Sequence, residues 1–139
     1  MEAAKKRNRL RSFDAETTIT GSGEENDPYV IYSSGDWVKV MTQGTRYNKY
    51  GNLQGYFALG ENIDLSQAGE WSASNLSKTF DGRGYEISGL KQPLFYVVTG
   101  TVKNLKVQVE IENGAKETGA IARYTQDNAR ITNCAVSGN

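Results

Sequence analysis

The feature that most constrains this chain is a small recurring unit that reads apolar, polar, Gly or Asn, apolar. It occurs as Ile87-Ser88-Gly89-Leu90, Val102-Lys103-Asn104-Leu105 and Ile131-Thr132-Asn133-Cys134, and the last two copies begin 29 residues apart. A period of that size marks solenoids, in which each repeat buries its apolar face only against its neighbours. The surrounding strand signals are equally short: YFAL, NIDL, LFYVV, TVKNLKVQVEI and GAIAR, separated by glycines. Strands of about four residues cannot bury a core alone, but like strands stacked on like strands can. Asn104 and Asn133 fall at the same place in the unit. Stacked amides there can hydrogen-bond from coil to coil, and Asn tolerates the left-handed backbone of a corner. Gly89 offers the same freedom in the first copy. The interval from Ile87 to Val102 is only 15 residues. That is too short for a three-sided coil at roughly 3.3 Å per strand residue, so this coil is expected to be incomplete or to cut a corner.

Before the strand-rich half, the chain changes character twice. Residues 1–18 read as a basic flexible arm, within which residues 1–11 hold Lys5, Lys6, Arg7, Arg9 and Arg11 against Glu2 alone, about +4, so the chain beyond residue 11 carries about −4. Such an arm can touch phosphate or anionic lipid, but it has no interleaved aromatics and is read as a solvated tail. The body is assigned to 19–139, with a helical segment at about 34–44 and coils at about 55–139. A turn at Glu24-Glu25-Asn26-Asp27-Pro28 leads into a strand at Tyr29-Val30-Ile31. Ser34 or Asp36 can cap a helix whose Trp37, Val40 and Met41, at i, i+3 and i+4, make one apolar stripe. Gly44 suits the left-handed position that ends it, and 45–54 is a polar loop rich in Tyr and Asn.

Composition narrows the function classes. Sixteen basic and sixteen acidic residues leave no net charge, which is not the field of a dedicated nucleic-acid binder. An apolar fraction of 37 %, with 15 Gly, 2 Pro and 8 Tyr, suits a turn-rich extracellular β protein better than a helical bundle. Cys134, the single cysteine, has no partner for an internal disulfide and reads as a small apolar residue. No segment approaches the roughly 20 apolar residues of a membrane span. The basic start is not followed by an apolar stretch, so it is not a secretory signal, and an exported form would be a mature or excised piece.

The absence of histidine excludes Ser-His-Asp and Cys-His triads and His-ligated metals. Carboxylates are the remaining acid–base groups, and Asp64, Asp81, Glu86, Glu110 and Glu112 form the set. Glu110 and Glu112 share a face by strand alternation, as a sugar-cleaving pair would, but exposed carboxylates on a solenoid wall are the ordinary outcome. Asp64 and Asp81 read as acceptors for backbone N–H groups in turns. No catalytic residue is assigned. Glu24, Glu25 and Asp27 gather hard oxygen donors and are the calcium candidates, without regular ligand spacing. Tyr47, Asn48, Tyr50, Asn52 and Tyr56 are the ligand candidates, since rings can stack on a sugar while amides read its hydroxyls. The competing reading is that some of these rings cover the end of the core beside Trp37.

Taken in order, GSGEENDPYVI, GDWVKVM, YFALGENIDL, FDGRGYEISGL, TVKNLKV, TGAIAR and ITNCAVSG resemble the GLUG-type repeat region of bacterial surface proteins. That region occurs in adhesins and in non-catalytic parts of IgA-specific metallopeptidases. The resemblance spans about residues 19–139. It implies an all-β fold, a right-handed parallel β-helix with one short helix capping its N-terminal end, in an extracellular or cell-surface setting. The usual Asp-Leu at the start of the helix is Asp36-Trp37 here, a larger anchor. The expected function is a non-enzymatic module serving as stalk, spacer or adhesive surface. The alternatives are a carbohydrate-binding or carbohydrate-cleaving β-helix, or a subunit that assembles through an open coil end. Expected partners are a glycan or host surface protein, or a second chain at the C-terminal coil. No cofactor is expected beyond calcium.

Overall fold

A computed structural model describes residues 18–110, 117–126 and 128–138. Apart from Thr18, the basic arm lies outside the described residues. The first turn of the chain comprises β1 (Tyr29–Ile31), helix α1 (Ser34–Met41) and the short strands β2 (Asn48–Lys49) and β3 (Asn52–Leu53). The second holds β4 (Phe57–Leu59), β5 (Ile63–Asp64) and β6 (Ser74–Leu76), and the third β7 (Thr79–Asp81), β8 (Glu86–Leu90) and β9 (Phe95–Val98). The fourth holds β10 (Thr101–Lys103), β11 (Lys106–Val109), α2 (Glu117–Ile121) and β12 (Ala122–Thr125), followed by β13 (Arg130–Thr132) and β14 (Ala135–Gly138). The strands stack into three sheets, ordered β1-β4-β7-β10-β13, β5-β8-β11-β14 and β2-β3-β6-β9-β12. Every pairing is parallel except β2 with β3. The fold is a parallel β-helix of about four turns.

Register corrects the repeat read from sequence. Val102 pairs with Ile131 on one side and Phe80 on the other, whereas Ile87 pairs with Ile63 and Val107 in a different sheet. The 15-residue interval therefore runs from the second side of one coil, through the third, to the first side of the next, and no coil is cut short. Phe57 to Phe80 spans 23 residues, Phe80 to Val102 spans 22, and Val102 to Ile131 spans 29. The long interval arises where the chain runs from Val109 to Ala122 and includes α2, a second short helix that the sequence reading did not anticipate.

Each sheet lines the interior with one column of side chains. Phe57, Phe80 and Val102 form one column and Ile63, Ile87 and Val107 another, all buried, and the aromatic and aliphatic contacts between neighbours supply the cohesion that no single strand could. Leu105 is buried and Lys106 exposed, as alternation requires, while Ile131 packs on the core only partly buried.

Helix α1 takes the chain position that a strand of the second sheet holds in later turns. Its buried residues are Asp36, Trp37, Val40 and Met41, the expected stripe plus a carboxylate. Trp37 is fully buried, with its ring 5.6 Å from Trp71 and 5.9 Å from both Phe80 and Phe95. The cap residue is Ser33, not Ser34 or Asp36: its side chain accepts from the Asp36 N–H at 3.1 Å. That frees the Asp36 carboxylate, which accepts from Thr18 N at 2.8 Å, Thr18 Oγ1 at 2.6 Å and Tyr32 N at 2.9 Å. Thr18 is thus tied to the body. The helix stops at Met41 with an extended Thr42, and Gly44, at φ 89, belongs to the turn beyond and donates to Asn48 O.

Two substitutions test this frame by chemical denaturation followed by circular dichroism. Trp37→Ala should cost about 3–5 kcal/mol, the range for emptying a large aromatic site, while Lys106→Asp should change stability by less than about 0.5 kcal/mol. At the corner, Asn104 sits at φ 56. There Asn104→Ala should cost about 1–2 kcal/mol more than the ladder bond alone, so Asn104→Gly should be the milder change.

Candidate functional site

The carboxylates suggested for acid–base work are mostly engaged with the backbone. Asp64 accepts from Ser66 N and Asp81 from Arg83 N, each at 2.9 Å and each two residues on, which is the turn-bracing geometry expected of Asp. Asp81 also accepts from Asn104 Nδ2 at 3.1 Å, and Asn104 Oδ1 accepts from Asn133 Nδ2 at 2.7 Å. One polar ladder therefore climbs three coils at a corner, with Asn104 and Asn133 both at positive φ. Gly82 permits the close approach there, since a Cβ would lie 2.5 Å from Asn104 O. Glu86 is half-buried, Glu110 is exposed, and Glu112 lies outside the described residues.

The five ligand candidates divide. Tyr47 and Asn48 are buried. Tyr47 packs edge-on against Tyr29 with centroids 4.8 Å apart. Asn48 donates to Val40 O at 3.0 Å and Ser74 Oγ at 2.8 Å and accepts from Gly51 N at 3.1 Å. Its amide closes the end of α1 and ties the following hairpin to the next coil, leaving it nothing to offer a ligand. Asn52 accepts from Asn75 Nδ2 at 2.9 Å, and Asn75 Oδ1 in turn accepts from Val97 N at 3.2 Å, a second ladder between coils. Tyr56 is half-buried beneath Lys78, whose Nζ lies 5.7 Å from the ring centroid. Only Tyr50 projects freely, 91 % exposed.

Two grooves receive these residues. An open one of about 670 Å³ is lined by Gln43, Gly44, Thr45, Arg46, Lys49 and Tyr50. A smaller one of about 190 Å³ has Tyr56 and Glu25 among its lining, with Asp81, Arg83 and Lys103. The calcium candidates Glu24, Glu25 and Asp27 are exposed on one turn, where Asp27 braces Ser22 N at 3.1 Å. Among the described residues no three acidic, Cys or His side chains converge as a metal cluster would. The sequence places Gln43 at the end of the helical segment and Thr45, Arg46 and Lys49 in the polar loop, and singles out none of them. Nor does it single out Tyr96 and Tyr124, both about half exposed, whose rings meet edge to face at 5.6 Å on the third sheet. The alternation of charge and aromatics around Tyr50 was the available signal.

Among the turn carboxylates, Asp64 carries a pH signature. Hydrogen bonds from the backbone and hydroxyl of Ser66 hold it below the usual carboxylate range. A carboxyl lowered in the folded state stabilises the fold above its unfolded pKa, and that contribution disappears as pH falls through the lowered value. An NMR titration should therefore find Asp64 protonating at a lower pH than an unfolded Asp does. Asp64→Asn should correspondingly reduce the loss of stability on the acid side.

No curated protein sequence matches the chain. A crystal structure from Bacteroides ovatus, described as a candidate immunoglobulin A1 protease, superposes with a TM-score of 0.54 at 18 % identity, over 85 % of this chain. The likeness is one of fold, and this chain spans 39 % of that one. No helix among the described residues is long and apolar enough to cross a membrane. Residues 47–138 match the model of the M26 IgA1-specific metallo-endopeptidase N-terminal region, and on the strength of that match the chain belongs to that family.

Proposed function

We propose that this chain is a non-enzymatic β-helical module of a bacterial surface or secreted protein, acting as stalk, spacer or adhesive surface. The observation that carries the reading is the continuous stack: three sheets of parallel strands across about four turns, with an apolar interior. Because neighbouring strands in such a stack lie about 4.8 Å apart, every added coil extends a stiff body by a fixed increment. Membership in a family defined by the N-terminal region of metallopeptidases, rather than by a catalytic domain, supports a supporting role and an extracellular setting. In a longer protein of that kind the module would set the distance between a catalytic region and the surface that bears it.

The carbohydrate-cleaving alternative needs two carboxyl groups with divided roles on one face. Asp64 and Asp81 already brace turns, which favours binding over cleavage. Assembly through the C-terminal coil is supported by Ile131 on β13, Val136 on β14 and Cys134 between them, all only partly buried. Calcium at Glu24, Glu25 and Asp27 would serve stability in this reading.

The test is a turnover assay of the purified chain on polysaccharide, peptide and phosphoester panels, repeated with Asp81→Asn and Glu110→Gln. No turnover is expected from any of the three proteins. A sugar-cleaving activity lost in Glu110→Gln, with the circular dichroism spectrum unchanged, would overturn the reading.

A further inference from the structure

The hairpin β2–β3 carries a residue that neither its turn nor the core accounts for. Lys49 pairs with Asn52 across the antiparallel strands, leaving Tyr50 and Gly51 as a two-residue loop. Both have positive φ, 58 and 83, the pattern of a type I′ turn, whose first position favours Asn, Asp or Gly. Tyr is a poor choice there, because a bulky side chain is strained in the left-handed region. Nor is the ring placed for packing, since it is 91 % exposed. A strained backbone that displays an unpacked aromatic ring is the kind of outlier from which a binding role can be argued.

The ring's surroundings define the ligand. Tyr50 borders the open groove of about 670 Å³ together with Gln43, Thr45, Arg46 and Lys49. That lining has two cations and no carboxylate, although the chain outside residues 1–11 carries about −4. Arg46 lies 5.7 Å from the centroid of the buried Tyr47 ring, a cation–π contact that places its guanidinium. Gln43 Nε2 sits 3.6 Å from where a Cβ on Gly51 would lie, so an amide stands beside the turn. Asn48, bound to Val40, Ser74 and Gly51, fixes the whole corner to the solenoid. The Thr45 hydroxyl already donates to Thr42 O and accepts from Tyr47 N, each at 3.2 Å, so the groove offers a flat aromatic face, the Gln43 amide for neutral polar groups, and a guanidinium suited to bidentate capture of a carboxylate.

We infer that this groove binds a pyranose bearing a carboxylate, with Tyr50 stacking on the ring, Gln43 meeting hydroxyls, and Arg46 and Lys49 holding the acid. Two cations on an acidic body suit one carboxylated ring, free or spaced along an oligosaccharide, rather than a densely charged polyanion such as nucleic acid, which needs an extended basic track. The inference rests on the adhesive form of the function proposed above and gives it a ligand class and a location.

The test is calorimetric titration of the full chain with sialyllactose, a hyaluronan hexasaccharide, lactose and an acidic peptide. Saturable binding of at least one carboxylated sugar, about 10-fold or more tighter than lactose, is expected, a difference of about 1.4 kcal/mol. Binding of sialyllactose alone would identify a sialylated source, and of the hexasaccharide alone a uronate source. Tyr50→Asn should abolish binding while leaving the melting temperature unchanged or raised, because Asn suits the turn. Lys49→Gln and Arg46→Gln should each weaken binding about 10-fold. Failure of both carboxylated sugars to bind, equal binding of lactose, tighter binding of the peptide, or undiminished binding by Tyr50→Asn would each overturn the site. None of those results would touch the spacer reading, which stands or falls on turnover and on the integrity of the coil stack.

Discussion

Coil-to-coil register governs everything else in this molecule. Strands of two to five residues have too little apolar surface to be stable alone, so each exists because the strand above and below it repeats the same inward side chain. Phe57, Phe80 and Val102 stand in one column, and Ile63, Ile87 and Val107 in another. A slip of one residue would turn a whole column outward. Polar ladders, one at a corner through Asp81, Asn104 and Asn133 and one on the third sheet through Asn52 and Asn75, guard against that slip by hydrogen bonding directionally between coils, where apolar contacts alone would tolerate displacement.

A stack of this kind has ends, and the first end is closed by a different interaction. Trp37 fills the space that a strand's side chains would otherwise occupy, meeting Trp71, Phe80 and Phe95. Its indole N–H has no hydrogen-bond partner among the described residues, so shape and apolar area outweigh the cost of that donor. Asp36 beside it is also buried, but three donors satisfy its carboxylate and join Thr18 and Tyr32 to the helix. One half of the pair contributes area and the other contributes direction.

Surfaces with chemical character arise where the repeat is interrupted. Along the regular walls the polar side chains are used between coils, as Asn52, Asn75 and Asp81 are. The antiparallel hairpin forms the edge of its sheet among the described residues, and there Arg46, Lys49 and Tyr50 face solvent around a groove. Function in a solenoid is therefore to be sought at its irregularities, where side chains are released from ladder duty.

The sequence by itself determined that the chain stacks short strands, that Asn104 and Asn133 meet at left-handed corners, and that Trp37, Val40 and Met41 make the buried stripe of a helix. These are local matters: spacing, backbone tolerance and alternation are written in neighbouring residues. Only the tertiary structure decided which repeats are equivalent, because Ile87 and Val102 carry the same pattern on different sides of a coil, and pattern alone does not count sides. It also decided the fate of the polar loop. Asn48 and Asn52 look alike in sequence to any surface amide, yet one is buried against Val40 and Ser74 and the other bonded to Asn75. A side chain's availability depends on partners 8 to 26 residues away, and those distances close only when the coil does.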